Sequence, residues 1–278
     1  MMSQVWLVTG SSRGLGRSIV TAALEAGHQV VATARNPAHL TDLVEKYGER
    51  VSTFALDVTD AEAAPRAVAH AVEQFGRLDV VVNNAGYGDT AAIEDATLED
   101  FRAQIDANFY GTVYMTKAAL PVLREQGRGH IIQITSVGGR AHSPGLGAYQ
   151  SAKWAVEGFS GVLALEVAPL GIKVTIVEPG GFRTDWAGSS MTIPPISAPY
   201  EQTVGTFVSR VRRGGKPAGD PDKAGKVIVE VAQLPEPPLR LILGKQALEY
   251  ATAFDAARTA SDANWKHLSL ATEAEDAA

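Results

Sequence analysis

The chain has 278 residues, 45% of them apolar and 20% charged, which suits one large domain with a substantial core. A formal net charge of −6 argues against a nucleic-acid partner, and the absence of Cys removes disulfides, thiol nucleophiles and thiolate metal sites. The N-terminus carries neither a basic leader nor a cleavage site, and no apolar run is long enough to span a membrane, so a cytoplasmic protein is expected.

Short β-rich runs alternate with helical patterns along the chain. VWLV (Val5–Val8) reads as the first strand, and Arg17–Gly27 as a helix closed by glycine. Gln29–Ala34 is the second strand, Asn36–Tyr47 is helical, and Val51–Val58 is the third strand. A helix over Ala61–Phe75 leads to the fourth strand and its turn, Leu78–Gly86. Thr97, with Asp100 three residues later, opens a long helix. Gly129–Ser136 is the fifth strand, Tyr149–Ala168 a helix, Ile172–Gly181 the sixth strand and Leu239–Gly244 the seventh. The first six strands are continuous apolar runs, so helices should cover both faces of a doubly wound parallel α/β sheet. Two regions break the rhythm. Trp186–Asp222 is proline-rich and too long for an ordinary connection, which marks it as a lid. The chain beyond it ends in an extension over 245–278, whose last part, from Trp265, reads as a frayed tail.

Gly10, Gly14 and Gly16 follow a strand and open a helix, the context in which backbone N–H groups and a helix dipole hold a pyrophosphate. The spacing is G-x-x-x-G-x-G, which is not the generic dinucleotide fingerprint, and a ligand-free turn is the alternative. The second strand ends in Ala34-Arg35, without the carboxylate that would hold ribose hydroxyls. Arg13 and Arg35 suit a 2′-phosphate, favouring NADP(H), with NAD(H) a weaker alternative; both are also ordinary surface residues otherwise. Ser136, Tyr149 and Lys153 then form S-x12-Y-x3-K, with Tyr149 and Lys153 on one helix face. An ammonium beside a phenol lowers its pKa, which would let Tyr149 exchange a proton with an alcohol oxygen as hydride moves.

These motifs resemble the short-chain dehydrogenase/reductase family over Val5 to about Trp186. TGSSRGLG (Thr9–Gly16) resembles its cofactor loop, and Asp57-Val58 its adenine contact. Asn83–Gly86, Asn108–Gly111, Tyr149–Lys153 and Pro179–Thr184 match in order. The resemblance implies a Rossmann-type, seven-stranded single domain and a catalytic set of Asn108, Ser136, Tyr149 and Lys153. Tyr149 would be the acid/base, Lys153 would lower its pKa and bind the nicotinamide ribose, Ser136 would orient the substrate oxygen, and Asn108 would hold a proton-relaying water. It also implies cofactor contacts at Gly10, Ser12, Arg13, Gly14, Leu15, Gly16, Arg35, Asp57, Val58, Asn83, Ala85, Gly86, Tyr149, Lys153, Pro179, Gly180 and Thr184, and no metal. The expected substrate is a small-molecule carbonyl or secondary alcohol, lipophilic because the lid carries Met191, Ile193, Ile196, Tyr200, Phe207 and Val208. His142 and Trp186 are candidates for the pocket rim. The basic run Ser209–Lys216 leaves a 3-oxoacyl-carrier reductase as an alternative, and a non-catalytic NADP(H) sensor is a further one. The helix from Tyr149 is apolar around most of its circumference, which suits a homodimer or homotetramer.

Overall fold

The computed structural model describes residues 3–187, 191–213 and 217–274. The strands β1 (Val5–Val8), β2 (Gln29–Ala34), β3 (Val51–Ala55), β4 (Val80–Asn83), β5 (Gly129–Ile134), β6 (Ile172–Pro179) and β7 (Arg240–Leu243) form one parallel sheet. Their order is β3-β2-β1-β4-β5-β6-β7. The chain winds outward from β1 through β2 and β3, then returns to the other side at β4, so the β1/β4 boundary is the topological switch point.

Alternation along each strand sends neighbouring side chains to opposite faces. On one face Trp6, Val8, Val30 and Ile132 are buried under α1 (Gly14–Glu25) and the later helix over Pro221–Gln233. On the other, Leu7, Val31, Val81 and Ile131 meet the remaining large helices. After α1 come α2 (Thr41–Tyr47), α3 (Ala63–Phe75), α4 (Leu98–Ile105), α5 (Gly111–Gln126) and α6 (Gly147–Val167). The Thr97 hydroxyl caps α4 by accepting from Asp100 N at 3.0 Å. A π-helical turn, Asp106–Tyr110, joins α4 to α5.

The lid is more ordered than its prolines suggest. It contains α7 (Thr206–Arg213) and ends as α8 (Pro221–Gln233) begins, capped by Asp220. Val204 and Val208 pack with Ala92, Ile193, Ile196 and Tyr200 in a small separate cluster. Polar contacts seat the lid on the loop after β4: Tyr200 Oη donates to Glu94 (2.6 Å), Thr192 N to Asp89 (2.7 Å) and Ser197 Oγ to Asp95 (3.0 Å). Residues 188–190 and 214–216 of the predicted lid and basic run, and 275–278 of the predicted extension, lie outside the described residues.

The C-terminal reading is corrected. Trp265 does not begin a frayed segment, because α9 (Lys245–Leu270) continues through it. Its alanines are strong helix formers, and a polar composition on a helix exposed along most of its length looks like disorder in sequence. Its first half is docked by Ala247, Ala251 and Phe254, the last against His142 with ring centroids 4.8 Å apart. Among the described residues no helix is long and apolar enough to cross a membrane.

Candidate active site

The predicted residues converge over the carboxyl ends of β1, β4, β5 and β6. After β1 the chain turns sharply, and the need for glycine there is steric. A Cβ on Gly16 would lie 2.3 Å from Gly10 O, and one on Gly10, where φ is +68°, 2.8 Å from Ala85 Cα. The turn is held from β4: Asn84 Nδ2 donates to Thr9 O (2.9 Å) and Gly10 O (3.2 Å), while Thr9 Oγ1 accepts from Asn84 N and Ala85 N. Arg13 precedes α1 without a side-chain cap, so the first N–H groups of the helix stay available for an anion. Leu15 packs into the core and Ser12 is half-buried beside it. A cradle that a single Cβ would fill, ending at an open helix N-terminus, fits a pyrophosphate.

Arg13 and Arg35 are exposed at the two sides of this cradle. Arg13 pairs with Asp185 at 3.4 Å, linking the cradle to the segment after β6. Burial pushes the Asp57 carboxyl up, but Thr59 N (3.0 Å), Thr59 Oγ1 (2.7 Å) and nearby Arg35 outweigh it and hold the group below its ordinary value. Val58 is half-buried against Gly111. Gly180 N donates to Leu243 O (2.9 Å), which fixes the Pro179-Gly180 turn, and Thr184 lies next to Gly14.

Asn83 and Asn84 point opposite ways. Asn83 sends its amide inward, donating to Gln133 (2.8 Å) and Thr116 (3.1 Å), so its side chain braces the core and does not face the cleft. Asn84, absent from the predicted set, carries the link to the glycine turn. The one-residue alternation of a strand decides this, and its phase is not readable in an NNAG run.

Deeper in the cleft Tyr149 is buried beside Ser136 and covered by Trp186 with ring centroids 5.3 Å apart. Ser136 Oγ also accepts from Gly138 N at 3.0 Å, which fixes its rotamer. Lys153 is buried one helical turn on, donating to Ile134 O at 2.9 Å. Asn108 is fully buried in the π-helical turn, a local geometry frequent at functional sites. Its amide donates to Tyr87 O (2.8 Å) and Gln104 O (2.9 Å), while Oδ1 has no protein partner and faces Gly86.

Burial pushes the Tyr149 phenol up to about 12, with only the Ser136 hydrogen bond pulling it down. Lys153 is aimed at a backbone carbonyl, its Nζ 5.7 Å from the Tyr149 ring centroid, and burial lowers its own pKa to about 8. Burial dominates, and the phenol stays above its ordinary value. His142, predicted at the pocket rim, stacks on Trp154 with ring centroids 5.3 Å apart and meets Phe254 of α9 at a tilt. Among the described residues no three His, Asp or Glu side chains gather as metal ligands.

A sheet wound in this order, with its polar groups gathered over the strand ends at the switch point, places the chain in the class of open α/β proteins that bind dinucleotides. The family is narrower: residues 4–192 match the model described as short chain dehydrogenase, and the chain belongs to that family of oxidoreductases. It is 55% identical to Oxidoreductase BOA17 of Botryotinia fuckeliana over 98% of this chain and 100% of that one. A short-chain dehydrogenase from Streptomyces avermitilis superposes with a TM-score of 0.92 at 39% identity, covering 98% and 100% of the two chains. An alcohol dehydrogenase from Thermococcus sibiricus, complexed with 5-hydroxy-NADP, gives a TM-score of 0.72 at 28% identity over 87% and 96%.

Proposed function

We propose that this chain is an NADP(H)-dependent oxidoreductase that interconverts a lipophilic ketone or aldehyde and its alcohol, working as a carbonyl reductase with Tyr149 as acid/base. The observation that carries the reading is the placement of Tyr149, buried beside Ser136 and under Trp186, with Lys153 one turn on, at the end of the glycine cradle. Bound NADP(H) supplies or accepts the hydride. A phenol pushed up to about 12 keeps its proton at neutral pH, so Tyr149 is poised to donate to a carbonyl oxygen. Ser136 Oγ, held by Gly138 N, donates to the same oxygen and orients it. The free Oδ1 of Asn108 and the Lys153 ammonium flank Gly86, so a water between them would carry protons onward from Lys153. Gly10, Gly14 and Gly16 hold the pyrophosphate, and Arg13 and Arg35 the 2′-phosphate, with the 5-hydroxy-NADP complex of the similar alcohol dehydrogenase supporting that choice.

The apolar lid cluster and the Trp186 roof favour a lipophilic substrate. The 3-oxoacyl-carrier reading keeps one supporting observation: Arg210, Arg212 and Arg213 are exposed on α7 of the lid. On that reading, neutralising the three raises KM for an acyl-carrier substrate and leaves simple ketones untouched. The single domain is read as cytoplasmic and as a homodimer or homotetramer, with Val162 and Leu165 of α6 57% and 80% exposed in the lone chain. The test is NADPH oxidation with aromatic, steroidal, aliphatic and acyl-thioester carbonyls, with NADH and Tyr149→Phe in parallel. Turnover should fall by roughly 100- to 10,000-fold in Tyr149→Phe. Equal turnover in that variant would remove Tyr149 from the reaction.

A further inference from the structure

Behind the reacting groups lies an ionic network. Glu157 follows Lys153 by one helical turn on the same buried face of α6. One of its oxygens accepts from Thr135 Oγ1 at 2.8 Å and the other from Arg240 Nε at 3.1 Å. Thr135 is the residue before Ser136, and Arg240 opens β7. Beside them Glu178, fully buried at the end of β6, accepts from Arg140 Nε (2.9 Å) and Nη2 (2.8 Å). Arg140 reaches on to Asp255 of α9 at 2.7 Å. The sets join where Arg240 lies 3.9 Å from Glu178.

Burial pushes the Glu157 carboxyl up, while Thr135 and Arg240 act to keep it ionised; with Glu157 ionised the charges balance only if Lys153 is an ammonium. Glu157, Glu178 and Asp255 face Arg140 and Arg240, which leaves one negative charge in excess; a Lys153 ammonium cancels it. Arg258, 4.0 Å from Asp255, is 57% exposed and water screens it. Tyr149 and Glu157 flank Lys153 at one-turn spacing on α6, Arg140, Glu178 and Arg240 stand behind Glu157, and from the loop after β4 and the π turn Gly86 and the neutral Asn108 approach its ammonium. We propose that Glu157 is a positioning residue, holding Lys153 as its ammonium and fixing the end of β5 that carries Ser136. This rests on the Tyr149–Lys153 reading above. Burial opposes the charge on Lys153 and Glu157 supports it, in agreement with the geometry.

The test compares pH profiles of kcat/KM for carbonyl reduction in the wild type, Glu157→Gln, Glu157→Asp and Arg240→Gln. If turnover needs the ammonium, activity is lost as pH rises through the Lys153 pKa. Removing the Glu157 charge lowers that pKa, so the alkaline limb of Glu157→Gln moves down by about one pH unit. Glu157→Asp keeps the wild-type limb. Arg240→Gln deletes a cation and moves the limb up, and it serves should Glu157→Gln not fold. Loss of turnover with an unmoved limb in both charge-deleting variants would overturn the proposal, since a merely structural role gives that pattern. A readout independent of activity is Tm against pH with Lys153→Met as background. Lys153 sits near 8 folded against an ordinary 10.5, so stability rises with pH between those values. In Glu157→Gln the rise begins about one unit lower, and that difference vanishes in Lys153→Met. A difference that persists without Lys153 would overturn the coupling. If the wild type reduces no carbonyl yet the Tm difference appears, the coupling stands and the assigned reaction falls.

Discussion

Asn108 Oδ1 and Lys153 Nζ approach the same point above Gly86 from two sides. A Cβ built there would lie 2.4 Å from the first and 3.5 Å from the second. Asn108 has no freedom to retreat, because its amide is fixed by Tyr87 O and Gln104 O. Gly86→Ala should therefore displace the Asn108 carbonyl and the end of the Lys153 side chain together. An ångström-scale misplacement of such groups costs on the order of 100-fold in turnover, and that loss is expected here. Gly86 is exposed, so Tm should change little. A large fall in Tm with normal specific activity would show that Gly86 matters for folding and not for the site.

Trp186 is the roof over Tyr149. Its backbone N–H reaches Thr184 Oγ1 at 3.4 Å, so the indole is tied to the same turn that approaches Gly14. Trp186→Ala should open the pocket. Small carbonyls lose a wall, and their KM should rise roughly 10-fold, while bulky ones lose less or gain. A kinetic panel across substrate sizes checks this. A uniform fall across all sizes would mean that Trp186 orders Tyr149 and does not select substrates.

Much of this architecture was legible in the sequence. Val5–Val8 and Gln29–Ala34 are strands with those bounds, because continuous apolar runs between glycine-rich turns leave little choice. The first helix begins earlier than its apolar pattern, at Gly14 instead of Arg17, since the glycine turn runs directly into it and glycines carry no hydrophobic signal. The gathering of Ser136, Tyr149 and Lys153 was legible from spacing. The charge state was not: burial decides the Tyr149 and Lys153 pKa values, and no local pattern reports how deeply a helix face is covered. The Glu157–Arg240–Glu178–Arg140–Asp255 chain was invisible for a related reason. It joins residues as much as 115 positions apart, from Arg140 to Asp255.

Cofactor preference divides unequally between two arginines. Arg13 already has Asp185 as a partner, so part of its charge is engaged before any phosphate arrives. Arg35 acts on Asp57 and Tyr87 through its charge. Arg35→Ser should raise KM for NADPH by roughly 10- to 100-fold, the range of a lost charge-assisted hydrogen bond, with KM for NADH nearly unchanged. Arg13→Ser should have the smaller effect. Both penalties should shrink in high salt, because the groups are exposed. Equal KM changes for both cofactors would assign these arginines no part in recognising a 2′-phosphate.

At the opposite end of the sheet, His130 sets a limit on acid stability. It is 3% exposed within β5, and its Nε2 is 2.9 Å from Thr175 Oγ1 on β6. Burial, with a smaller push from Lys173, lowers its pKa from 6.5 to about 4. The folded state therefore binds fewer protons than the unfolded state between those values. His130 disfavours unfolding least at low pH: its contribution is fully present above 6.5 and is lost as pH falls toward 4. The shift corresponds to roughly 3 kcal/mol at full titration, an order-of-magnitude figure. His28, whose pKa burial also lowers, adds in the same direction. Urea titrations of the wild type from pH 7 to 4 should show falling stability, and His130→Gln, which keeps a polar partner for Thr175 but does not titrate, should flatten that fall. If His130→Gln lowered stability equally at every pH, the histidine would act through packing, and protonation at this position would not drive acid unfolding.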